Sequence, residues 1–428
     1  MPKILHRMAR EFPETFRALL GQQIQLASEV DNTVSSILSD IRLQGDDALL
    51  RYTEQFDHHT QLRVQPSEIQ AARKACPPDS DLYQALVFAR ERITAYHQAQ
   101  MPQSIDYTDA SGVRLGNLWR PIQTVGMYVP GGLASYPSSV LMNAIPALVA
   151  GVKKLIMTVP APNGQLNPAI LVAADMLGIE DIFKVGGAQA IGALAYGTET
   201  IPAVDKIVGP GNAFVAAAKR QAFGHVGIDM VAGPSEILVV SDASTPPEWV
   251  AADLLSQAEH DANARSLLIT NDQRWAYLVL AAIDAQLKTL PRREIAAASW
   301  EQYGAIIIVD DMAQSTSLIN QIAPEHLQLM LSDTQIEAML PLIHNAGAIF
   351  LGQYTPEAIG DYTAGPSHVL PTSGTARFSS GLSVYDFLKR VSLIGCSQQA
   401  FSTLAHATET LARSEKLDAH ARSITLRR

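Results

Sequence analysis

The chain has 428 residues, of which 47% are hydrophobic and 17% charged, and its formal net charge is −10. This balance is typical of a globular protein with two or more domains and excludes a disordered or fibrous chain. Lys and Arg total 32 against 42 Asp and Glu, and no long basic run could follow a phosphate backbone, so we expect no nucleic-acid partner.

Several features of the sequence bear on the compartment. The basic start is not followed by an apolar stretch long enough for a signal peptide. The apolar run 140–152 falls short of the roughly 20 residues that cross a bilayer, and Asn143 and Pro146 interrupt it. We therefore expect a buried helix there, no membrane contact and a cytoplasmic protein. Cys76 and Cys396 lie far apart, which suits a reducing compartment and leaves any metal ion to nitrogen and oxygen ligands.

The predicted elements begin with helices and continue with alternating strands and helices. Residues 33–53 and 81–99 space their apolar side chains by three and four, as amphipathic helices do. Short apolar runs follow, each before a Gly or Pro and a helical stretch. They lie at residues 125–129, 154–159, 181–185 and 205–208. Because parallel strands need crossover helices, which are nearly always right-handed, this rhythm predicts a doubly wound sheet.

A second series of apolar runs predicts a second, similar sheet. These runs lie at residues 237–240, 266–269, 305–309, 327–330 and 348–351, and two helices with a polar tail follow residue 378. The predicted fold class is α/β, with two similar doubly wound, incomplete Rossmann-like parallel-sheet domains plus small helical N- and C-terminal segments. We expect the divisions to be 1–25 (N-terminal helical segment), 26–127 with 236–378 (first α/β domain), 128–235 (second α/β domain) and 379–428 (C-terminal helical segment).

Glycine-rich turns mark the places where a ligand is expected. In open parallel sheets, ligands bind beyond the carboxyl ends of the strands, where such turns and helix N-termini present N–H groups. The turns lie at 129–132, 186–191, 209–212 and 232–236. Any one of them could be only a tight turn, whereas the set of four indicates a rim that binds a nucleotide. Neither Gly-x-Gly-x-x-Gly nor the phosphate-binding Gly-Lys-Ser/Thr motif occurs.

Histidine and carboxylate clusters form a second group of candidates. Gln257 and His260 are three residues apart, so a helix would place them on one face as a pair of metal ligands. Adjacent Glu325 and His326 would point to opposite faces of a regular strand, so a shared role requires an irregular turn after Pro324. The remaining candidates are Asp361, His368, Glu415 and His420. For each residue alone, a structural histidine or a solvated charge is the competing interpretation.

These strings together resemble histidinol dehydrogenase. They include Gly-Pro-Gly-Asn at 209–212, Leu-Ser-Gln-Ala-Glu-His at 255–260, Ala-Pro-Glu-His-Leu at 323–327, Gly-Asp-Tyr at 360–362 and His-Val-Leu-Pro-Thr at 368–372. The similarity runs from about residue 25 to the C-terminus and is weaker at 364–368, where Ala-Gly-Pro-Ser-His stands for the family's Gly-x-Asn-His.

The resemblance implies an intertwined homodimer that oxidises L-histidinol to L-histidine through L-histidinal, with one Zn²⁺ per subunit and NAD as acceptor. It places the metal and substrate in the first α/β domain and the nucleotide rim in the second, and the C-terminal segment would complete the partner's site. The implied zinc ligands, which also contact substrate, are Gln257, His260, Asp361 and His420 of the partner subunit. The implied proton-transfer residues are Glu325 and His326, and further substrate contacts are Ser235, His326, His368 and Glu415. The residues implied to touch NAD are Tyr128, Gln189 and Asn212.

The chemistry of these side chains is consistent with those roles, although two alternatives stay open. Zinc is redox-inert, so an oxidation needs a second acceptor, which the glycine-rich rim could seat. Full oxidation of an alcohol to an acid takes two hydride transfers, with a water molecule added between them. Glu325 is suited to activate that water, and His326 is suited to accept the proton of the substrate hydroxyl. The alternatives are a zinc- and NAD-dependent dehydrogenase of another polar alcohol, such as a sulfonated propanediol, and a catalytically silent binding module.

Overall fold

A computed structural model describes residues 3–21, 28–131 and 136–428. Its strands are β1 (Lys3–His6), β2 (Asp106–Thr108), β3 (Val113–Pro121), β4 (Thr124–Tyr128), β5 (Lys154–Thr158), β6 (Asp181–Phe183), β7 (Lys206–Val208), β8 (Gly227–Ile228), β9 (Glu236–Ser241), β10 (Arg265–Thr270), β11 (Ala305–Ile308), β12 (His326–Met330), β13 (Ala348–Leu351) and β14 (Leu388–Cys396). Its helices are α1 (Phe12–Leu20), α2 (Ser28–Gln44), α3 (Asp46–Asp57), α4 (Pro66–Ala75), α5 (Asp81–Ala99), α6 (Pro137–Ala150), α7 (Pro168–Met176), α8 (Gly187–Tyr196), α9 (Ala213–Ala222), α10 (Pro247–Ala258), α11 (Gln273–Leu287), α12 (Arg293–Tyr303), α13 (Ser315–Ile322), α14 (Asp333–Met339), α15 (Glu357–Tyr362), α16 (Gln398–Ser414) and α17 (Asp418–Thr425).

Two parallel sheets form the body of the protein, which confirms the predicted fold class. One has the order β6-β5-β4-β7-β8 and the other β1-β11-β10-β9-β12-β13. The first sheet contains the consecutive strands β4 to β8, and the second contains β9 to β13. In each of these series the first strand lies between the second and the fourth, which is the strand order in the core of a doubly wound dinucleotide-binding fold. All pairs of neighbouring strands in both sheets are parallel.

Helices cover both faces of each sheet, because parallel strands that are apolar on both sides must be buried on both sides. The five-stranded sheet packs on α2, α3, α8 and α9 on one face and on α4 to α7 on the other. The six-stranded sheet packs on α1, α13 and α14 on one face and on α10 to α12 on the other. The predicted buried helix is α6, which contains Pro146 and buries most of its residues.

The helices that precede residue 100 pack against the five-stranded sheet. Helix α2 lies on α8 and α9, and α5 lies on α6. A Cβ on Gly192 of α8 would come within 3.1 Å of Leu38, so this residue keeps α2 close. These contacts favour grouping residues 28–99 with the domain at 128–235, whereas the sequence analysis grouped 26–127 with 236–378. The domain boundaries stay a prediction, and the one near residue 25 falls outside the described residues.

Several local expectations were wrong. The single helix expected over 33–53 is divided at Gly45, whose φ of +54° suits glycine and ends α2 before α3 begins. The terminal segments are not purely helical, because β1 joins the six-stranded sheet beside β11 and β14 pairs with β3. Strands β14, β3 and β2 form a third, antiparallel sheet. Its half-exposed strands lack the continuous apolar runs that identified the others.

A search of the described residues finds no helix with the length and apolar character needed to span a membrane. The predicted homodimer involves a second chain and stays a prediction.

Candidate active site and metal centre

Two helix ends bring a set of candidate metal ligands together. Gln257 is buried in the last turn of α10, and His260 follows that helix, with its N–H donating to the carbonyl of Gln257 at 3.2 Å. The short helix α15 carries Glu357 and Asp361 four residues apart, hence on one face. One ligand atom from each of His260, Glu357 and Asp361 lies within 4.8 Å of the other two. The structure thus gathers one imidazole and two carboxylates beside the end of α10.

The polar atoms around this cluster fit a cation. Gln257 Oε1, Glu357 Oε1 and His326 Nε2 are buried without a hydrogen-bond partner among the described residues. Gln257 Oε1 can only accept hydrogen bonds, and Glu357 Oε1 can only accept them when its carboxyl group is ionised. His326 Nε2 is also an acceptor, because Nδ1 is 3.0 Å from the carbonyl oxygen of Glu236 and donates to it. Buried acceptors without donors are unfavourable unless a positive charge satisfies them. The donor set of imidazole, carboxylate and amide oxygen is one that zinc accepts.

The pKa shifts of the cluster have the same origin. Burial, followed by the charge of Glu357, raises the pKa of Asp361 to about 6. Burial also raises the pKa of Glu357 to about 7 and lowers the pKa of His260. The pocket therefore disfavours charged side chains when no cation is bound, and a divalent ion would reverse that preference.

Glu325 and His326 share one anchor, which satisfies the geometric condition set by their adjacency. Ala323, with φ of +48°, ends α13 in the left-handed conformation, and β12 begins only at His326. Glu325 Oε2 accepts from the N–H of Glu236 at 2.8 Å, while His326 Nδ1 donates to the carbonyl of the same residue. Both side chains are thus held by the first residue of β9, and Glu325 Oε2 lies 3.6 Å from His326 Nδ1.

The environment of this pair disfavours the charged form of both groups. Burial, with nearby carboxylates that outnumber the one donated N–H, raises the pKa of Glu325 well above its usual value. Burial lowers the pKa of His326. His326 Nε2 lies 3.8 Å from Glu357 Oε1 and 3.9 Å from Asp361 Oδ1, so the pair borders the metal cluster directly.

His368 lies beside the same cluster, and Ser235 is the residue before Glu236. His368 Nδ1 is 3.1 Å from the carbonyl oxygen of Asp361, and its Nε2 is 3.4 Å from Ser139 Oγ on α6. Burial lowers the pKa of His368 to about 4, so its ring is neutral. Half-buried Ser235 directly precedes β9, where its carbonyl accepts from the N–H of Arg265 at 2.9 Å.

The glycine-rich turns meet at the carboxyl edge of the five-stranded sheet. Tyr128 ends β4, and its hydroxyl accepts from the N–H of Gly187 at 3.3 Å. Burial raises the pKa of Tyr128 to about 12, so the phenol stays neutral. Gln189 is buried on α8, and exposed Asn212 caps α9 by accepting from the N–H groups of Phe214 and Val215. Gly132 of the first turn and Ser135 lie outside the described residues.

The candidate residues do not all lie at the carboxyl ends of strands, where the sequence predicted ligand binding. Glu325 and His326 precede and begin β12, and Glu236 begins β9, so these residues lie at the amino edge of the six-stranded sheet. The fourth glycine turn, 232–236, leads from the five-stranded sheet to that edge. The candidate residues therefore lie at opposite edges of the two sheets, a relationship that strand periodicity does not contain.

Two predicted site residues do not join the cluster within one chain. Glu415 follows α16 and His420 lies on α17; both side chains are exposed, and neither hydrogen-bonds to the cluster in the described structure. The resemblance places both residues in the site of the partner subunit. This placement involves a second chain and stays a prediction.

Sequence reasoning missed three residues of the site. Glu357 carries a signal that was available, because a carboxylate four residues before Asp361 lies on the same helical face. No sequence signal identifies Glu236 and Arg265, because they begin separate strands and meet as a buried ion pair only in the folded protein.

Comparisons with known proteins agree on one family. The family model described as Histidinol dehydrogenase matches residues 21–428. The protein named Histidinol dehydrogenase of Rhodospirillum rubrum is 54% identical over 432 residues, which cover 100% of this chain and 99% of that protein. Histidinol dehydrogenase 1 of a Nostoc species is 52% identical over 424 residues, 99% of this chain and 98% of that protein. The crystal structure of histidinol dehydrogenase from Elizabethkingia anophelis has a TM-score of 0.94 at 38% identity and covers 100% of this chain and 98% of that one.

Proposed function

The chain belongs to the histidinol dehydrogenase family, and from that premise we propose that it oxidises L-histidinol to L-histidine through L-histidinal, with zinc and NAD as cofactors. As a member of this family it is an oxidoreductase of histidine biosynthesis. The observation that carries the proposal is the group of unpaired buried acceptors, Gln257 Oε1, Glu357 Oε1 and His326 Nε2, beside the acid–base pair.

Zinc would be held by Gln257, His260, Asp361 and His420 of the partner subunit. When bound, the ion supplies Lewis acidity and a template for nitrogen-bearing substrates. Glu357 lies within reach of the same position, because its carboxylate belongs to the group of mutually close ligand atoms. Its hydrogen bond from Ser256 Oγ, at 3.1 Å, fixes Oε2 and leaves Oε1 turned to the cluster.

Proton transfer follows from how Glu236 holds its two partners. With Nδ1–H donated to the Glu236 carbonyl, His326 presents the lone pair of Nε2 to the cleft, where it can accept the proton of the substrate hydroxyl. Glu325 would activate the water that adds to the aldehyde between the two oxidations. The N–H of Glu236 stabilises the carboxylate form that this role requires.

The remaining site residues would orient the two substrates. Ser235, His368 and Glu415 of the partner subunit would contact L-histidinol. NAD would lie along the glycine-rich rim, beside Tyr128, Gln189 and Asn212. Because the amide oxygen of Asn212 is engaged in capping α9, its NH₂ group is the part that can donate to the nucleotide.

Shared sites require a homodimer, and we propose one that works in the cytoplasm. The C-terminal segment that carries Glu415 and His420 supports this proposal. It exposes a series of large apolar side chains, which a second copy would cover, namely Leu404, Leu411, Leu417 and Leu426.

The decisive experiment supplies L-histidinol and NAD to the zinc-loaded protein and counts NADH formed per substrate consumed. We expect two NADH per molecule and L-histidine as product. A sulfonated propanediol, offered in parallel at the same concentration, should give no turnover. One NADH per molecule, turnover only with the sulfonated diol, or no turnover with either would each contradict the proposal.

A further inference from the structure

A buried ion pair lies directly beneath the glycine turn at 209–212. Lys219 on α9 pairs with Asp229, which follows β8, and their side chains are only 2% and 1% exposed. Neither residue contacts the metal cluster in the described structure; they belong to the five-stranded sheet. A lysine and an aspartate this deeply buried are uncommon unless each is fully paired.

Both partners of the pair also bind the backbone of one residue, Gly209. Asp229 Oδ2 accepts from the N–H of Gly209 at 2.8 Å, and Lys219 Nζ donates to its carbonyl at 2.9 Å. Asp229 Oδ1 accepts in addition from the N–H of Met230 at 2.6 Å. The pair therefore hydrogen-bonds both the N–H and the C=O of the first residue of the turn, and its burial keeps water away from these bonds.

The position of Gly209 admits only glycine. Its φ is +111°, and a Cβ there would lie 2.0 Å from the carbonyl oxygen of Tyr128 at the end of β4. The hydroxyl of Tyr128 in turn accepts from Gly187 at the start of α8. Gly209 after β7, Tyr128 at the end of β4 and Gly187 at the start of α8 therefore lie close together at the rim.

Stability alone does not account for the pair. Replacing a buried ion pair by apolar side chains of similar size is often neutral or stabilising, because desolvation offsets the attraction between the charges. What apolar residues cannot do is bind the N–H and C=O of Gly209. The geometry therefore gives the pair a role in placing the turn.

We propose that Lys219 and Asp229 are positioning residues for the dinucleotide: by fixing Gly209 they set where Asn212 presents its amide at the head of α9. This inference rests on the proposed function, in which Asn212 touches NAD. The inference gives Lys219 and Asp229, which do not contact the metal cluster in the described structure, a role in the affinity for NAD. It gives them no role in zinc binding.

The test is the double variant Lys219→Met/Asp229→Leu, which removes both charges at once and leaves no buried charge unpaired. NADH binding to the zinc-loaded protein is measured by fluorescence titration, and zinc content and the unfolding temperature are measured alongside. We expect the dissociation constant for NADH to rise about tenfold or more, because the buried N–H and C=O of Gly209 lose their partners and the turn shifts. Zinc content should not change.

Lys206→Met is the matched control. Lys206 begins β7, at the opposite edge of the sheet, where its Nζ donates to the carbonyl of Asp386 at 2.7 Å and pairs with the Asp386 carboxylate at 3.2 Å. Its loss removes a lysine of the same strand–turn unit without touching Gly209, so NADH affinity should stay as in the unaltered protein.

The possible results separate the inference from the proposed function. If the unaltered protein binds NADH and the double variant binds it equally well, the inference is wrong while the function stands. If the unaltered protein does not bind NADH, both fall. Should the double variant not fold, Lys219→Gln is measured instead: it removes the bond to the Gly209 carbonyl, while Asp229 keeps the N–H groups of Gly209 and Met230. It should weaken NADH binding in the same direction, and unchanged affinity overturns the inference.

Discussion

Ser139 Oγ lies 3.4 Å from His368 Nε2, and this contact connects the two parallel-sheet units at the cleft. Ser139 is in the first turn of α6, which follows β4 of the five-stranded sheet, whereas the other ring nitrogen of His368 bonds the carbonyl of Asp361. Two hydrogen bonds therefore lead from the glycine-rich rim to the metal cluster. In the proposed function, the substrate and the nucleotide would meet across this link.

Glu325→Gln should separate the two oxidation steps. The amide keeps an acceptor for the N–H of Glu236 but cannot take a proton from water, so the aldehyde step should slow by about 100-fold or more and the alcohol step much less. Single-turnover measurements with L-histidinol and with L-histidinal give the two rates. Glu337→Gln, on the exposed side of α14, is the control. Equal, mild losses in both steps would refute the role of Glu325.

Glu357→Gln should weaken zinc binding, although the sequence did not identify this residue. Its carboxylate is within 4.8 Å of ligand atoms of both His260 and Asp361, so losing its charge should lower zinc affinity by about 10- to 100-fold. Competition with a chromophoric chelator measures the affinity. Asp253→Asn is the control, because Asp253 is a nearby carboxylate that bonds Gln328 and lies outside the group of mutually close ligand atoms. Equal affinities for Glu357→Gln and the unaltered protein would rule out a role in the metal centre.

The sequence predicted those strands and site residues that leave a recognisable pattern of residue types, and it missed the others. Strands buried on both faces appear as continuous apolar runs, and every such run that was predicted is a strand in the structure. Strand β3 was missed, since its half-exposed residues mix apolar and charged side chains. Short motifs likewise identified His260, Glu325 and Asp361, which the fold gathers. Glu236 could not be found, because its importance lies in a backbone N–H and C=O that any residue type possesses.

Replacing both cysteines by serine should leave turnover nearly unchanged. Cys76 is buried at the end of α4 with its Sγ 3.5 Å from Ser80 Oγ, and Cys396 is exposed at the end of β14. Neither thiol belongs to the acid–base pair or to the metal cluster, so no thiohemiacetal step is expected. Steady-state rates of NADH formation by Cys76→Ser/Cys396→Ser provide the check. With the fold preserved, a loss beyond roughly 100-fold would instead reveal a nucleophilic thiol.

His97 should make folding stability depend on pH below neutrality. It is fully buried on α5, its Nδ1 is 2.8 Å from Gln100 Oε1, and its Nε2 has no partner among the described residues. Burial lowers the pKa of His97 in the folded protein. As the pH falls below the unfolded-state pKa of about 6.5, the unfolded chain binds a proton that the folded chain refuses, so stability falls with pH.

His97→Gln should remove this contribution. Urea unfolding at a series of pH values, at fixed protein and zinc concentrations, gives the free energy of unfolding for both proteins. Their difference should be constant above the unfolded-state pKa and should shift in favour of the variant as the solution becomes more acidic, by about 1.4 kcal/mol for each unit that the folded-state pKa is lowered. His406→Gln, which alters an exposed histidine on α16, should follow the pH dependence of the unaltered protein. Parallel pH profiles for His97→Gln and the unaltered protein would mean that His97 titrates alike in both states, against the burial that the fold imposes on it.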